Sequence, residues 1–119
     1  MELFEVARKD DANDVSILYI KGYLDAHTAP KLEQELQDLI NKQKFKIIVN
    51  FKELNYISSA GLGVFMGFIE TIREKSGDIK LTNMSPKIFR VFDLLGFPTL
   101  YDIFEKEEEA VKKFSKITN

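Results

Sequence analysis

Two short runs rich in β-formers open the chain, LFEVA (3–7) and VSILYIKG (15–22), with the polar stretch KDDAND between them. Apolar and aromatic runs bounded by Asp and Asn predict strands, and the short polar link predicts an antiparallel hairpin. At Ala29 the period changes. Ala29, Leu32, Leu36, Leu39 and Ile40 recur three and four residues apart, which predicts an amphipathic helix over 29–42. Thr28 is its expected N-cap, and Pro30 suits a first turn where a missing N–H costs nothing. FKIIVNF (45–51) is a nearly continuous apolar run, the pattern of a strand covered on both faces.

A second helix is expected from about Ala60 to Lys75, ending at Gly77, followed by a strand at IKLTN (79–83). Ser85 and Pro86 open a third helix whose apolar face is Ile88, Val91, Phe92 and Leu95; Gly96 is its left-handed stop and Pro98 lies beyond. LYDIF (100–104) reads as a last short strand, and EKEEEAVKKFSKI as a terminal helix with the buried stripe Ala110, Val111, Phe114 and Ile117. Glu108 with Lys112 and Glu109 with Lys113 are spaced for i,i+4 pairing on its solvated side. The order predicts one α/β domain over residues 1–119. Its mixed, mostly parallel sheet has four or five strands, an N-terminal hairpin and about four helices. Sites in such sheets lie at the carboxyl ends of the parallel strands. Two loops are therefore candidates, GYLDAHTAP (22–30) and NYISSAGLG (55–63).

Composition removes several function classes. The chain has 119 residues, 45% hydrophobic with ten Phe, enough for one core. Its net charge is −2 and its lysines are scattered among acids, so no nucleic-acid partner is expected. It has no cysteine, which excludes disulfides and thiolate metal sites. MELFEVARKDD lacks the features of a signal peptide, and no apolar run reaches the length of a membrane span. A cytoplasmic protein without a membrane partner is the expectation.

The chemistry in the two loops is sparse. A nucleophile elbow requires Gly-x-Ser-x-Gly; around Ser59 the first glycine is replaced by Ile57. Asp25 and the single histidine, His27, sit two residues apart in one loop, a poor arrangement for orienting a catalytic ring. One His and no Cys do not make a zinc centre. Gly61 and Gly63 are a fragment of a phosphate loop without its Lys-Ser/Thr, although a helix N-terminus attracts anions by itself. Ser58 and Ser59 have a simple reading as a helix cap. The helix after them carries Leu62, Phe65, Met66, Ile69 and Ile72 on one stripe, with Val64 and Phe68 off it and Gly67 interrupting. So much apolar surface has two explanations: a second element, such as the terminal helix, covers it, or it is an exposed partner surface. Gly67 would permit close helix approach in either case.

Taken together, the motifs resemble a family. YISSAGLGVF is similar to the phosphorylation motif of STAS-domain anti-sigma factor antagonists, in which a strand ends in Asp-Ser-Ser/Ala-Gly-Leu. GYLDAHTAP resembles that family's Gly-Glu-Leu-Asp loop, and SPKIFRVFDLLGF its third helix. The resemblance covers nearly the whole chain in the family's element order. It implies a protein-binding module without enzymatic activity or cofactor. It implies phosphorylation at Ser59, with Ser58 as second choice, and a partner surface of Asp25, His27, Thr28, Ser58, Ser59, Ala60, Gly61 and Leu62. The implied partners are an anti-sigma factor serine kinase of the histidine-kinase-like ATPase fold, which brings ATP and Mg²⁺, and a serine phosphatase. Unphosphorylated, such a module binds the kinase and releases a sigma factor. Ser58 stands where many members have Asp, and Tyr23 where many have Glu. The alternative within the family is a constitutive adaptor or scaffold in a signalling or transport complex.

Overall fold

The computed structural model describes residues 3–11 and 13–117, the last two of them by backbone alone. The described elements are β1 (Phe4–Asp10), β2 (Ser16–Leu24), α1 (Ala29–Asn41), β3 (Lys46–Ile57), α2 (Ser59–Glu74), β4 (Asp78–Thr82), α3 (Pro86–Leu94), a 3-10 turn (Phe97–Thr99), β5 (Ile103–Phe104) and α4 (Glu107–Ile117). One sheet of five strands runs in chain order, β1-β2-β3-β4-β5. The β1–β2 hairpin is antiparallel and every later pairing is parallel. This is the expected α/β architecture, with the strand number settled at five.

Each crossover steps to the next strand in the same direction, so a common handedness lays α1, α2 and α3 on one face of the sheet. Between them lies the main core. Leu32, Leu36 and Leu39 of α1, Phe65 and Ile72 of α2, and Ile88 and Phe92 of α3 pack on Leu18, Val49, Phe51, Ile79 and Leu81. Aromatic rings bind α3 and the turn to the sheet. Phe92 meets Phe51 edge-on at 5.4 Å and Phe97 edge-on at 5.0 Å, and Phe97 stacks on Tyr101 at 5.4 Å. Such pairs contribute about 0.5–1.5 kcal/mol each beyond their area. The Tyr101 hydroxyl donates to the Phe65 carbonyl at 2.7 Å, and burial pushes its phenol up.

On the opposite face α4 stands alone among the described elements, setting Ala110 and Phe114 against Val15, Ile17 and Ile48. The terminal helix therefore does not cover α2. The stripe on α2 also differs from the expected one. Val64 is buried, whereas Met66 is half exposed. A side chain at Gly67 would meet nothing, so that glycine serves no close helix contact. Leu95, expected in the core, is 60% exposed, because α3 ends at Leu94 and Gly96 turns left-handed (φ 78°). At the end of α2 the left-handed residue is Ser76 (φ 64°). Gly77 is needed for another reason: a Cβ there would lie 2.1 Å from the Phe45 carbonyl oxygen. β3 runs past Phe51 to Ile57, a polar extension that periodicity reads as loop and that pairing with β2 holds as strand. At the start of α4, Glu107 accepts from Tyr19 Oη at 3.1 Å and Asn50 Nδ2 at 3.0 Å. Burial and that carboxylate push the Tyr19 phenol up to about 12. Glu109 turns back to accept the Lys106 N–H at 3.0 Å. The expected stripe position Ile117 lies outside the described side chains.

Lys80 escapes periodicity altogether. It sits in β4 with its side chain only 2% exposed, and a buried ammonium requires partners. Its Nζ reaches Asp78 at 2.9 Å and Asp102 at 2.8 Å, and it lies 4.7 Å from the Phe114 ring centre. One cation thus joins β4, the segment before β5, and α4. The Lys80 hydrogen bond holds the Asp102 carboxyl below its usual range, against the opposing effect of burial. A carboxyl depressed in the folded state stabilises the fold above its unfolded pKa, and the benefit is lost as pH falls through the folded value. Urea midpoints should therefore drop on acidification below about pH 4, and Asp102→Asn should flatten part of that drop. An unchanged acid profile in Asp102→Asn would refute this role.

Candidate functional site

The two candidate loops meet at the carboxyl ends of β2 and β3. β2 reaches this rim through a bend at Gly22, whose φ of +98° suits glycine. A Cβ there would lie 2.2 Å from the Leu3 carbonyl oxygen, which accepts the Tyr23 N–H at 2.7 Å. Past the bend, Tyr23 and Tyr56 stand side by side on neighbouring strands, 6.1 Å apart and about half exposed. Leu24 pairs with Ile57.

Asp25 organises the first loop. Its Oδ1 accepts the N–H of His27 at 2.9 Å and of Thr28 at 3.2 Å, and its carbonyl accepts from Ala29 at 2.8 Å. These bonds shape the turn that precedes α1, whose N-cap is Thr28 as expected; the Thr28 carbonyl accepts the Lys31 N–H at 2.9 Å. Thr28 makes no side-chain cap; its hydroxyl donates to the Tyr23 carbonyl at 2.7 Å and accepts the Asp25 N–H at 2.9 Å. It is buried, so it locks the loop from within and offers a partner almost no surface. His27 is exposed. Asp25 holds its backbone N–H, and no His–Asp–Ser relay is assembled.

In the second loop the two serines divide their labour. The Ser58 N–H donates to the Leu24 carbonyl at 2.9 Å, which ties the loops together. Its backbone is extended (φ −99°, ψ 175°), and its Oγ accepts the Gly61 N–H at 3.3 Å. Ser58 is thus the N-cap of α2. Ser59 is the first residue of that helix and is exposed; its hydroxyl has no partner among the described residues. Ala60 is exposed beside it. Gly61 and Leu62 are buried. A Cβ on Gly61 would come within 2.9 Å of Leu24 Cγ and of the Leu24 carbonyl oxygen, so this glycine lets the helix start sit directly on the first loop. Of the eight residues the resemblance implies, Asp25, His27, Ser58, Ser59 and Ala60 offer surface at this rim, while Thr28, Gly61 and Leu62 shape it from below.

Because the strands run in chain order, the sheet has no switch point where neighbouring loops diverge into a crevice. The site is an open rim: an exposed hydroxyl at a helix N-terminus, a half-buried carboxylate, and two tyrosines. Among the described residues no group of three or more His, Cys, Asp or Glu could hold a metal, and no helix is long and apolar enough to cross a membrane. Such a rim suits contact with another macromolecule. The helix N-terminus also favours a negative charge on Ser59 by about 0.3–1 kcal/mol. The Tyr23–Tyr56 pair is the feature that sequence reasoning missed. It depends on the β2–β3 register, which no local pattern specifies.

Residues 6–110 match the family model described as the STAS domain. The chain is 34% identical over 104 residues to the anti-sigma-B factor antagonist of Bacillus subtilis, covering 87% of this chain and 94% of that one. A crystal structure from Thermotoga maritima superposes with a TM-score of 0.85 at 25% identity, covering 91% and 92% of the two chains. Unphosphorylated SpoIIAA, an anti-sigma factor antagonist, superposes at 0.82 over 97% and 100% of the chains; at 24% identity that likeness speaks to the fold.

The serines separate by stability. Removing an N-cap costs about 1 kcal/mol, and an exposed hydroxyl without partners costs less than about 0.5 kcal/mol. In urea titrations Ser58→Ala should lose about 1 kcal/mol and Ser59→Ala should match wild type. The reverse order would overturn the assignment of the cap.

Proposed function

Given that the chain belongs to the STAS-domain family of anti-sigma factor antagonists, we propose that it is such an antagonist, gated by phosphorylation at Ser59. The observation that carries this reading is the division between the serines. Ser58 spends its oxygen on the Gly61 N–H, while Ser59 presents an exposed hydroxyl at the same helix N-terminus. In the unmodified state the rim of Asp25, Ser58, Ser59 and Ala60 docks on a serine kinase of the histidine-kinase-like ATPase fold. That docking displaces a sigma factor held by the kinase. These partners would place the protein in the cytoplasm.

The chain supplies the hydroxyl and the kinase supplies ATP, Mg²⁺ and catalysis, so no turnover belongs to this protein. The γ-phosphoryl group passes to Ser59 Oγ as its bond to ADP breaks, and the hydroxyl proton leaves to a base of the kinase. A phosphoserine carries about −1.5 to −2 charges at neutral pH. The N-terminus of α2 tolerates that charge within the domain. Inside a packed interface the same charge faces desolvation and the neighbouring Asp25 loop. A loss of about 3–4 kcal/mol weakens binding by a factor of about 100–1,000. A serine phosphatase removes the phosphate and resets the rim.

Intact-mass spectrometry after incubation with a cognate kinase and ATP tests the acceptor. Wild type and Ser58→Ala should each gain one phosphate and Ser59→Ala none; labelling of Ser59→Ala would move the acceptor elsewhere. Ser59→Asp should bind the kinase at least roughly tenfold more weakly, and equal affinity would end the electrostatic gate. If wild type takes no phosphate yet binds a signalling partner, the constitutive adaptor is the correct reading.

A further inference from the structure

β1 is the outer strand of the sheet, so one side of its backbone pairs with no other strand among the described residues. The phase of its ladder is fixed. Leu3 bonds inward to Tyr23, and in an antiparallel pair the residues alternate between bonding inward and outward. Glu5, Ala7 and Lys9 therefore bond towards β2, while Phe4, Val6, Arg8 and Asp10 turn their N–H and C=O groups outward. The Phe4 carbonyl is accordingly met from outside, by Lys31 Nζ at 3.3 Å. The side chains divide the same way. Phe4 and Val6 pack on the main core, and Glu5, Ala7 and Lys9 lie exposed on the α4 side of the sheet.

We propose that β1 pairs antiparallel with β1 of a second copy, about a twofold axis through Ala7, making one continuous sheet of the two. This register sets Phe4 opposite Asp10 and Val6 opposite Arg8, so outward-turned groups meet outward-turned groups along the whole strand. The incoming Asp10 N–H takes the place of the Lys31 ammonium on the Phe4 carbonyl. On the exposed face Glu5 falls opposite Lys9, twice by symmetry, in the non-hydrogen-bonded positions where side chains approach closest. Ala7 meets its own copy and puts no bulk on the axis. Neighbouring registers are worse. An axis at Arg8 opposes two guanidinium groups, and an axis at Val6 sets Glu5 against Ala7 and loses the charge pair. Charged residues on an edge strand ordinarily blunt pairing; here their order along the strand is self-complementary. The axis is perpendicular to the sheet, so the two Ser59 rims point to opposite ends of the assembly and both stay open.

Sedimentation of the full chain over a concentration series tests the pairing. Wild type should show a concentration-dependent dimer. Glu5→Lys and Lys9→Glu should each raise its dissociation constant roughly tenfold or more, because two attractive pairs become repulsive. The double variant Glu5→Lys/Lys9→Glu should return it to within about threefold of wild type. Both positions are exposed, and far-UV circular dichroism checks that each variant folds. Hydrogen exchange at the amides of Val6 and Arg8 should slow as the dimer fills. A monomer at every concentration, single variants that dimerise like wild type, a double variant that stays weak, or a dimer without protection at Val6 and Arg8 would each overturn the proposal.

Discussion

The site depends on one hydrogen bond, from the Ser58 N–H to the Leu24 carbonyl. It closes the last position at which β2 and β3 meet, and it fixes where α2 begins. The geometry of the rim follows from that placement. Gly61 must lack a side chain because the helix starts directly on Leu24. Ser58, held by its backbone, is set to cap with its side chain. Ser59, one residue on, is turned out of the cap into solvent. A polar extension of β3 that would not be strand by composition is strand because pairing with β2, through two register shifts, continues to Ile57.

A rim built this way separates rigidity from reactivity. Asp25 and Thr28 spend their polar groups on backbone N–H and C=O partners within the first loop, which stiffens the surface beside the exposed hydroxyl. Adding charge to a rigid surface changes its affinity without a second conformation. Under the proposed gate, binding energy would be controlled at the interface, where desolvation amplifies a local charge, and the domain's own stability would be left nearly untouched.

The fold was largely legible because its helices follow a 3.6-residue apolar period and are punctuated by Pro30, Ser85, Pro86 and Gly96. What the chain hid was decided by contacts distant in sequence. Val64 and Met66 exchange their expected positions because α4 packs on the far side of the sheet and leaves α2 one covered face. Nothing in the strand pattern marks Lys80 as buried, because its enclosure depends on Asp102 and Phe114 being brought to it. Thr28 is the N-cap of α1 by position, but its hydroxyl turns back to the Tyr23 carbonyl instead of to the helix. The identities of the candidate site residues were visible in two loops. The family resemblance ranked Ser59 ahead of Ser58, but residue chemistry alone does not say which serine caps and which is presented, because only the start of the helix distinguishes them.

The chain-order sheet also has a consequence for how the protein is made. Each β–α unit adds its strand beside the one just synthesised, so no strand must insert between two already paired. Sheet growth can keep pace with a chain emerging from its N-terminus, each strand templating the next across short sequence separations. The hairpin is available first, and the crossovers then extend it in one direction. Lys80 enters the sheet before Asp102 and α4 exist to enclose it, so the final segment closes a face that until then stands open to water. The chain-order sheet thus permits vectorial assembly, with the enclosure of Lys80 deferred until Asp102 and α4 are made.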